Sequence, residues 1–156
     1  MSKVSFGIDL DGTILFLATD WERVRARLKE LYLSFGLSVQ NTSIFKSLDE
    51  AIFKSITEAE DMTSGQKMAS DIREKALEIL EDEEIKGIPG VSLRKGAREL
   101  LHFMKGNPLV LVTSNCKKAV LDAFKKLNVD VNMFAGLVTR DDVRNLKPDK
   151  EPVSKA

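Results

Sequence analysis

Two carboxylates separated by a single residue, Asp9 and Asp11, directly follow the apolar run over residues 4–8. Such a run is typical of a short buried strand, and two carboxylates held together at its end repel each other. A cation, a shared proton or a phosphoryl substrate would offset that repulsion. The pair is therefore the first candidate for a functional site.

Two further polar groups are predicted at strand ends of the same kind. Thr113, Ser114 and Asn115 follow the apolar run over residues 109–112, and Lys147 lies in the loop after a third predicted strand. In an open α/β sheet, ligands bind outside the carboxyl ends of the strands. An acid pair, a hydroxyl and a lysine suit phosphoryl transfer: a carboxylate can attack phosphorus, while a divalent ion, backbone amides and lysine hold the phosphate charge.

The elements that must position these groups alternate between strands and helices. Predicted strands cover residues 3–9, 109–112 and 133–138, and the β-branched run at 109–112 is typical of a strand covered on both faces. Predicted helices cover residues 20–35, 48–59, 93–105 and 116–127, with one more from 63 that frays into a solvated charge run at 81–84. This order predicts an α/β fold, a parallel sheet with a helical module inserted after the first strand.

Capping residues mark two of the predicted helices. Asp20 can cap the helix over 20–35, and Gly36 can end it. Asn115 is the predicted N-cap of the helix over 116–127.

The sequence resembles the haloacid dehalogenase (HAD) superfamily of phosphohydrolases, in particular its phosphoglycolate phosphatase-like branch. The resemblance rests on three motifs in order along the chain: Asp-Leu-Asp-Gly-Thr at 9–13, the stretch 109–115, and Lys147 with Pro148. The stretches 89–91 and 139–143 are also typical of that branch.

The resemblance implies an architecture. We expect a HAD-like Rossmannoid core over residues 1–16 and 89–156, with a helical cap at 17–88. The family's fourth motif, an acidic cluster after a further strand, does not follow Lys147 in this sequence. We therefore expect a sheet that is incomplete at the C-terminus, with the first strand on an open edge where the chain could self-associate.

The resemblance also implies the chemistry of the acid pair. Asp9 would be the nucleophile that forms an aspartyl-phosphate, and Asp11 would protonate the leaving group and then activate water. Mg²⁺ would be held by the Asp9 side chain and the Asp11 backbone carbonyl. Because expelling an alkoxide needs an acid where carbon–halogen cleavage does not, Asp11 favours phosphate chemistry over dehalogenation.

The remaining site residues would hold the phosphate. Thr113, Ser114 and Asn115 would bind the phosphoryl group, and Lys147 would offset its charge and that of Asp9. Gly12 would form the tight turn that aims both carboxylates at one point.

These expectations leave three functions open. The first is a Mg²⁺-dependent phosphomonoester hydrolase acting on a small phosphorylated metabolite. The second is a truncated, non-catalytic HAD remnant that binds phosphate or a protein partner. The third is a phosphomutase of the same family.

The amino-acid composition bears on the cellular compartment and on the classes of binding partner. Basic and acidic residues balance at 24 each, so charge gives no reason to expect nucleic acid or a membrane as partner. Cys116 is the single cysteine, which predicts a packing residue in a reducing, cytoplasmic setting. No apolar stretch approaches the length of a membrane span.

Overall fold

A computed structural model describes residues 6–147 and 149–156. Residues 3–5 of the first predicted strand, and Pro148 of the third motif, lie outside the described residues. The helices and strands follow the chain in this order: β1 (Phe6–Ile8), β2 (Leu15–Phe16), α1 (Trp21–Ser34), α2 (Ile44–Thr57), α3 (Met62–Gly87), β3 (Ser92–Leu93), α4 (Ala97–Phe103), β4 (Leu109–Val112), α5 (Lys117–Leu127), β5 (Gly136–Val138) and α6 (Glu151–Lys155). Among the described helices, none is long and apolar enough to cross a membrane.

The chain divides into two compact units, one formed by Met1–Thr19 with Glu84–Ala156 and the other by Asp20–Glu83. The first unit contains the strands and packs α4 and α5 around an apolar core that includes Leu111 and Phe124. The second unit is helical, and its core includes Leu28. Burying side chains of this size contributes about 1.5–3 kcal/mol each.

A three-stranded parallel sheet in the order β1-β4-β5 carries the strand ends of interest. Phe6, Gly7 and Ile8 lie opposite Leu109, Val110 and Leu111, so the carboxyl ends of β1 and β4 are level. All four residues of β4 are buried, which confirms the predicted strand covered on both faces. The predicted α/β fold with a parallel sheet is therefore confirmed.

Helix boundaries in the helical unit follow local capping. The Asp20 side chain accepts a hydrogen bond from Arg23 N at 3.0 Å, which confirms it as the N-cap of α1. Gly36 adopts φ +75° just beyond the helix, a conformation that favours glycine. The second helix begins at Ile44, four residues before its predicted start.

Several predicted elements of the first unit are shorter in the structure. Helix α4 begins at Ala97 because Gly96 precedes it with φ +82°, a left-handed conformation that a helix cannot include. Strand β5 is only three residues long because Val131–Met133 forms a 3₁₀ turn instead. The antiparallel pair β2–β3 was not predicted, since strands of two residues leave no periodicity to recognise.

The predicted frayed and solvated run over residues 81–84 is wrong. Helix α3 continues to Gly87, and Glu83 and Glu84 are 2% and 1% exposed. Glu84 lies four residues beyond Leu80, which is itself buried, so it continues the apolar stripe of the helix. A carboxylate on that stripe is buried and needs partners.

Candidate active site

The ammonium group of Lys147 joins the ends of β1 and β4. Its Nζ donates to Val112 O at 2.8 Å and forms an ion pair with Asp9 Oδ1. Asp9 directly follows β1, and its Oδ2 accepts a long hydrogen bond from the Thr13 hydroxyl at 3.4 Å. The side chains of Lys147 and Asp9 are 30% and 42% exposed, so the pair is accessible to solvent.

Asp11 lies in the tight turn that follows β1. Gly12 adopts φ +81°, and its N–H donates to Leu15 O at 2.8 Å, which closes the turn. The Asp11 Oδ1 accepts from Leu17 N at 3.0 Å. Burial raises the pKa of Asp11, and the nearby Asp9 charge adds to that rise, although the bond from Leu17 opposes it. Asp11 is therefore suited to hold a proton beside the Asp9 carboxylate.

Thr113 and Asn115 form a buried hydrogen-bonded loop after β4. Thr113 N donates to Val138 O at 2.9 Å, which ties the loop to β5. The Thr113 hydroxyl donates to Asn115 Oδ1 at 2.7 Å and accepts from Asn115 N at 3.2 Å. The loop is held in one conformation directly after the end of β4.

The prediction that Asn115 caps the following helix is wrong. Cys116 is the N-cap of α5, and its Sγ accepts from Ala119 N at 3.4 Å. Asn115 is engaged instead with Thr113 and Glu84. Burial raises the pKa of the Cys116 thiol to about 12, so this cysteine is a packing residue, as predicted.

Sequence reasoning missed two charged residues beneath this loop, Glu84 and Arg140. They form a buried ion pair with distances of 2.7 and 3.0 Å between nitrogen and oxygen atoms. Arg140 follows β5 at the strand end where functional residues were expected. Glu84 could have been found from its place on the apolar stripe of α3.

The acidic residues late in the chain serve as caps. Asp141 Oδ2 accepts from Lys117 N at 2.8 Å, and Asp142 Oδ2 accepts from the Thr139 hydroxyl at 2.7 Å. Asp149 Oδ1 accepts from Glu151 N at 2.8 Å. Within the described part of the chain, no cluster of three or more His, Cys, Asp or Glu side chains is placed to hold a metal.

Two cavities differ in their chemistry. One of about 450 Å³ has Asp9 and Lys147 in its lining, together with Val110 and Val112. The other, of about 290 Å³, lies in the helical unit. Tyr32 is among its lining residues, and no carboxylate side chain lines it. The first cavity is the one that belongs to the candidate site.

A family model described as "Haloacid dehalogenase-like hydrolase" matches residues 8–156. The chain belongs to this family. The matched region contains every candidate site residue from Asp9 to Lys147, and the protein is accordingly a hydrolase of the HAD type. No curated protein sequence matches the chain.

Solved structures show the same fold. A hydrolase from Pseudomonas syringae is 23% identical with a TM-score of 0.58, and the match covers 99% of this chain and 68% of that one. CbbY from Rhodobacter sphaeroides, solved in complex with phosphate, is 18% identical with a TM-score of 0.56, with 97% and 70% covered. Both support the Rossmann-type α/β architecture of the HAD family.

The raised pKa of Asp11 predicts how an Asp11→Asn variant alters stability. The folded state favours the protonated carboxyl, so ionised Asp11 destabilises the fold above its folded pKa. Asparagine keeps an acceptor for Leu17 N without the charge. We expect the free energy of unfolding at neutral pH to equal or exceed that of the parent, with the gain shrinking as pH falls through the folded pKa.

Asp142→Asn is the matched control with the opposite sign, because bonds from Thr139 lower the pKa of Asp142. This variant loses stability at neutral pH, and the loss shrinks only once pH falls below the ordinary carboxyl pKa, through the lowered pKa of the folded state. Urea denaturation at several pH values measures both variants. If the Asp11→Asn protein is less stable than the parent at neutral pH, the raised pKa of Asp11 is contradicted.

Proposed function

We propose that the protein is a Mg²⁺-dependent phosphomonoester hydrolase that acts through an aspartyl-phosphate, with a small phosphorylated metabolite as substrate. The observation that carries the proposal is the ion pair of Lys147 with Asp9 at the level ends of β1 and β4. A carboxylate that can act as a nucleophile, a cation and a loop that carries hydroxyl groups therefore follow the ends of neighbouring strands. That set suits phosphoryl transfer.

In the proposed reaction, Asp9 attacks phosphorus and Asp11 controls the protons. An Asp9 oxygen forms a bond to phosphorus while the ester oxygen departs, taking a proton from Asp11. Asp11 then accepts a proton from water as the water attacks phosphorus, which releases phosphate and restores Asp9. The raised pKa of Asp11 supports its role as the acid in the first step.

The loop after β4 and Lys147 would hold the phosphoryl oxygens. Ser114 offers a backbone amide, and Thr113 would offer its hydroxyl by exchanging Asn115 Oδ1 for a phosphoryl oxygen. The Asn115 N–H stays on Thr113 Oγ1, and Lys147 offers an ammonium that offsets developing charge. Gly12 would keep the turn tight enough to hold Asp11 beside Asp9. The phosphate bound in the CbbY structure is consistent with a site for this anion on the shared fold.

The residues present fit Mg²⁺ as the cofactor. Mg²⁺ prefers oxygen ligands and is commonly bound by one or two carboxylates, with waters and substrate phosphate completing its shell. Asp9 and the backbone carbonyl of Asp11 would supply such oxygens. The ion would screen charge on the phosphoryl oxygens as the nucleophile approaches.

Substrate choice is proposed to reside in the helical module over residues 17–88, as it does in the phosphoglycolate phosphatase-like branch that the sequence resembles. Two other functions remain as outcomes of the assay. Phosphate binding without turnover would favour a non-catalytic remnant. Transfer of the phosphoryl group to a sugar rather than to water would favour a phosphomutase.

An Asp9→Asn variant tests the hydrolase. The parent should hydrolyse an aryl phosphate in the presence of Mg²⁺, and Asp9→Asn should release phosphate no faster than buffer, because the amide cannot form the acyl phosphate. Phosphate release is measured with Mg²⁺ and with excess chelator, which should abolish the parent's activity. Asp122→Asn is the control, since Asp122 forms an exposed helical pair with Lys118.

Equal turnover by the parent and Asp9→Asn would rule out Asp9 as the nucleophile. Loss of turnover in Asp122→Asn as well would mean that a general effect of charge removal explains the result.

We also propose that the chain self-associates through β1. Among the described strands, β1 pairs on one side only, with β4, and Phe6 is 43% exposed on it. An exposed strand edge offers unpaired backbone donors and acceptors to a second chain.

A Phe6→Lys variant should weaken that association, because a charged side chain on an edge strand opposes pairing. Light scattering over a concentration series measures the mass. Phe103→Lys is the control, because Phe103 is 79% exposed but lies on α4. A parent that stays monomeric throughout, or an equal effect of both variants, would contradict the proposal.

A further inference from the structure

A buried charge pair lies beneath the loop that follows β4. Glu84 and Arg140 have side chains that are 1% and 2% exposed. Replacing a buried ion pair with apolar residues is often neutral or stabilising, because removing two charges from water costs as much as their attraction returns. Stability alone therefore gives a poor account of this pair.

Glu84 makes hydrogen bonds with both of its carboxylate oxygens. Oε1 accepts from Asn115 Nδ2 at 3.2 Å, and Oε2 accepts from Cys116 N at 3.0 Å. Each oxygen also accepts a hydrogen bond from one guanidinium nitrogen of Arg140. Because the Asn115 amide nitrogen faces Glu84, its Oδ1 is directed at the Thr113 hydroxyl.

Arg140 holds the main chain of the same loop. Its NH1 donates to Ser114 O at 3.0 Å, and its backbone N–H donates to Asn115 O at 3.1 Å. A trans peptide directs its carbonyl and its N–H to opposite sides. With Ser114 O held by Arg140, the Asn115 N–H is therefore directed away from Arg140, and it donates to Thr113 Oγ1.

We propose that Glu84 and Arg140 are positioning residues for the phosphoryl-binding loop over residues 113–115. Glu84 holds the Nδ2 end of the Asn115 side-chain amide, and Arg140 fixes the orientation of the peptide between Ser114 and Asn115. The Thr113 hydroxyl is hydrogen-bonded to both of these groups, so its direction depends on the pair. The inference rests on the proposed function, in which this loop holds the phosphoryl group. It assigns a role in the reaction to two residues that do not themselves contact the substrate.

Inorganic phosphate is the probe, and its dissociation constant is measured by calorimetry in the presence of Mg²⁺, without turnover. Glu84→Gln should weaken phosphate binding roughly tenfold or more, because small misplacements of binding groups have large effects. With an aryl phosphate, KM should rise more than kcat falls, since the loop holds phosphate in both the ground state and the transition state.

A double variant, Glu84→Gln with Arg140→Met, separates positioning from folding. Glu84→Gln alone leaves the Arg140 charge buried without its partner and should lower the free energy of unfolding. Removing both charges should restore much of that stability, but it leaves Ser114 O without its donor. Phosphate binding should therefore stay weak in the double variant even where it is as stable as the parent.

Glu83→Gln is the matched control. Glu83 is 2% exposed and pairs with Arg27 of the helical unit at 2.7 Å. Its substitution should also cost stability, but phosphate affinity should stay within about twofold of the parent, because Arg27 and Arg23, which pair with Glu83, are not part of the loop.

The outcomes are distinct. Weak binding in both Glu84 variants with normal binding in Glu83→Gln supports the inference. Parent-like binding in a folded Glu84 variant, or equal loss in Glu83→Gln, overturns it while the proposed function stands. A parent that neither binds phosphate nor turns over an aryl phosphate contradicts the proposed function, and the inference falls with it.

Discussion

The ion pair between Lys147 and Asp9 is the interaction on which the candidate site depends. The two residues are 138 positions apart, and the same ammonium also donates to Val112 O. A partly exposed ion pair contributes on the order of 1 kcal/mol or less to stability. The ion pair therefore matters for the charge of the site rather than for stability, because it places the Lys147 ammonium beside the Asp9 carboxylate.

The two halves of the site handle charge in opposite ways. Asp9 is half-exposed and has its cation at the surface, and the pKa of the neighbouring Asp11 is raised. Glu84 and Arg140 are almost fully buried, and each carboxylate oxygen of Glu84 has two donors. The exposed half can respond to a ligand, whereas the buried half holds the loop over residues 113–115 in place.

Sequence reasoning located the strand ends because they carry strong local signals. The continuous apolar run at 109–112 predicted β4 to the residue, and the run before Asp9 predicted β1. Lys147, in the loop after β5, contacts Asp9 after β1, as expected for groups beyond the carboxyl ends of parallel strands. Family membership is confirmed by a match that covers nearly the whole chain.

The partners of the missed residues are tertiary contacts that local patterns do not encode, although the spacing of Glu84 from the buried Leu80 was a local signal. A glutamate within Glu-Asp-Glu-Glu is typical of a solvated helix face, and its burial is made possible by Arg140, 56 residues away, together with donors from Asn115 and Cys116. Asn115 is a good capping residue by type, but its amide is engaged by Glu84 and Thr113, so Cys116 became the cap. Both errors concern the hydrogen-bond network around Glu84: its unexpected burial and its bond to Asn115 explain why the solvated run and the Asn115 cap were predicted wrongly.

Phosphorylation of Asp9 in the proposed reaction can be detected by chemical trapping of the intermediate. An Asp11→Asn protein given an aryl phosphate with a good leaving group should still form the intermediate but release it slowly, because no residue activates water. Borohydride reduces an acyl phosphate to an alcohol, and mass spectrometry of the peptides locates it. Homoserine at position 9 is the expected product. Phosphate release with no reduced residue, or with reduction at another carboxylate, would contradict an aspartyl-phosphate at Asp9.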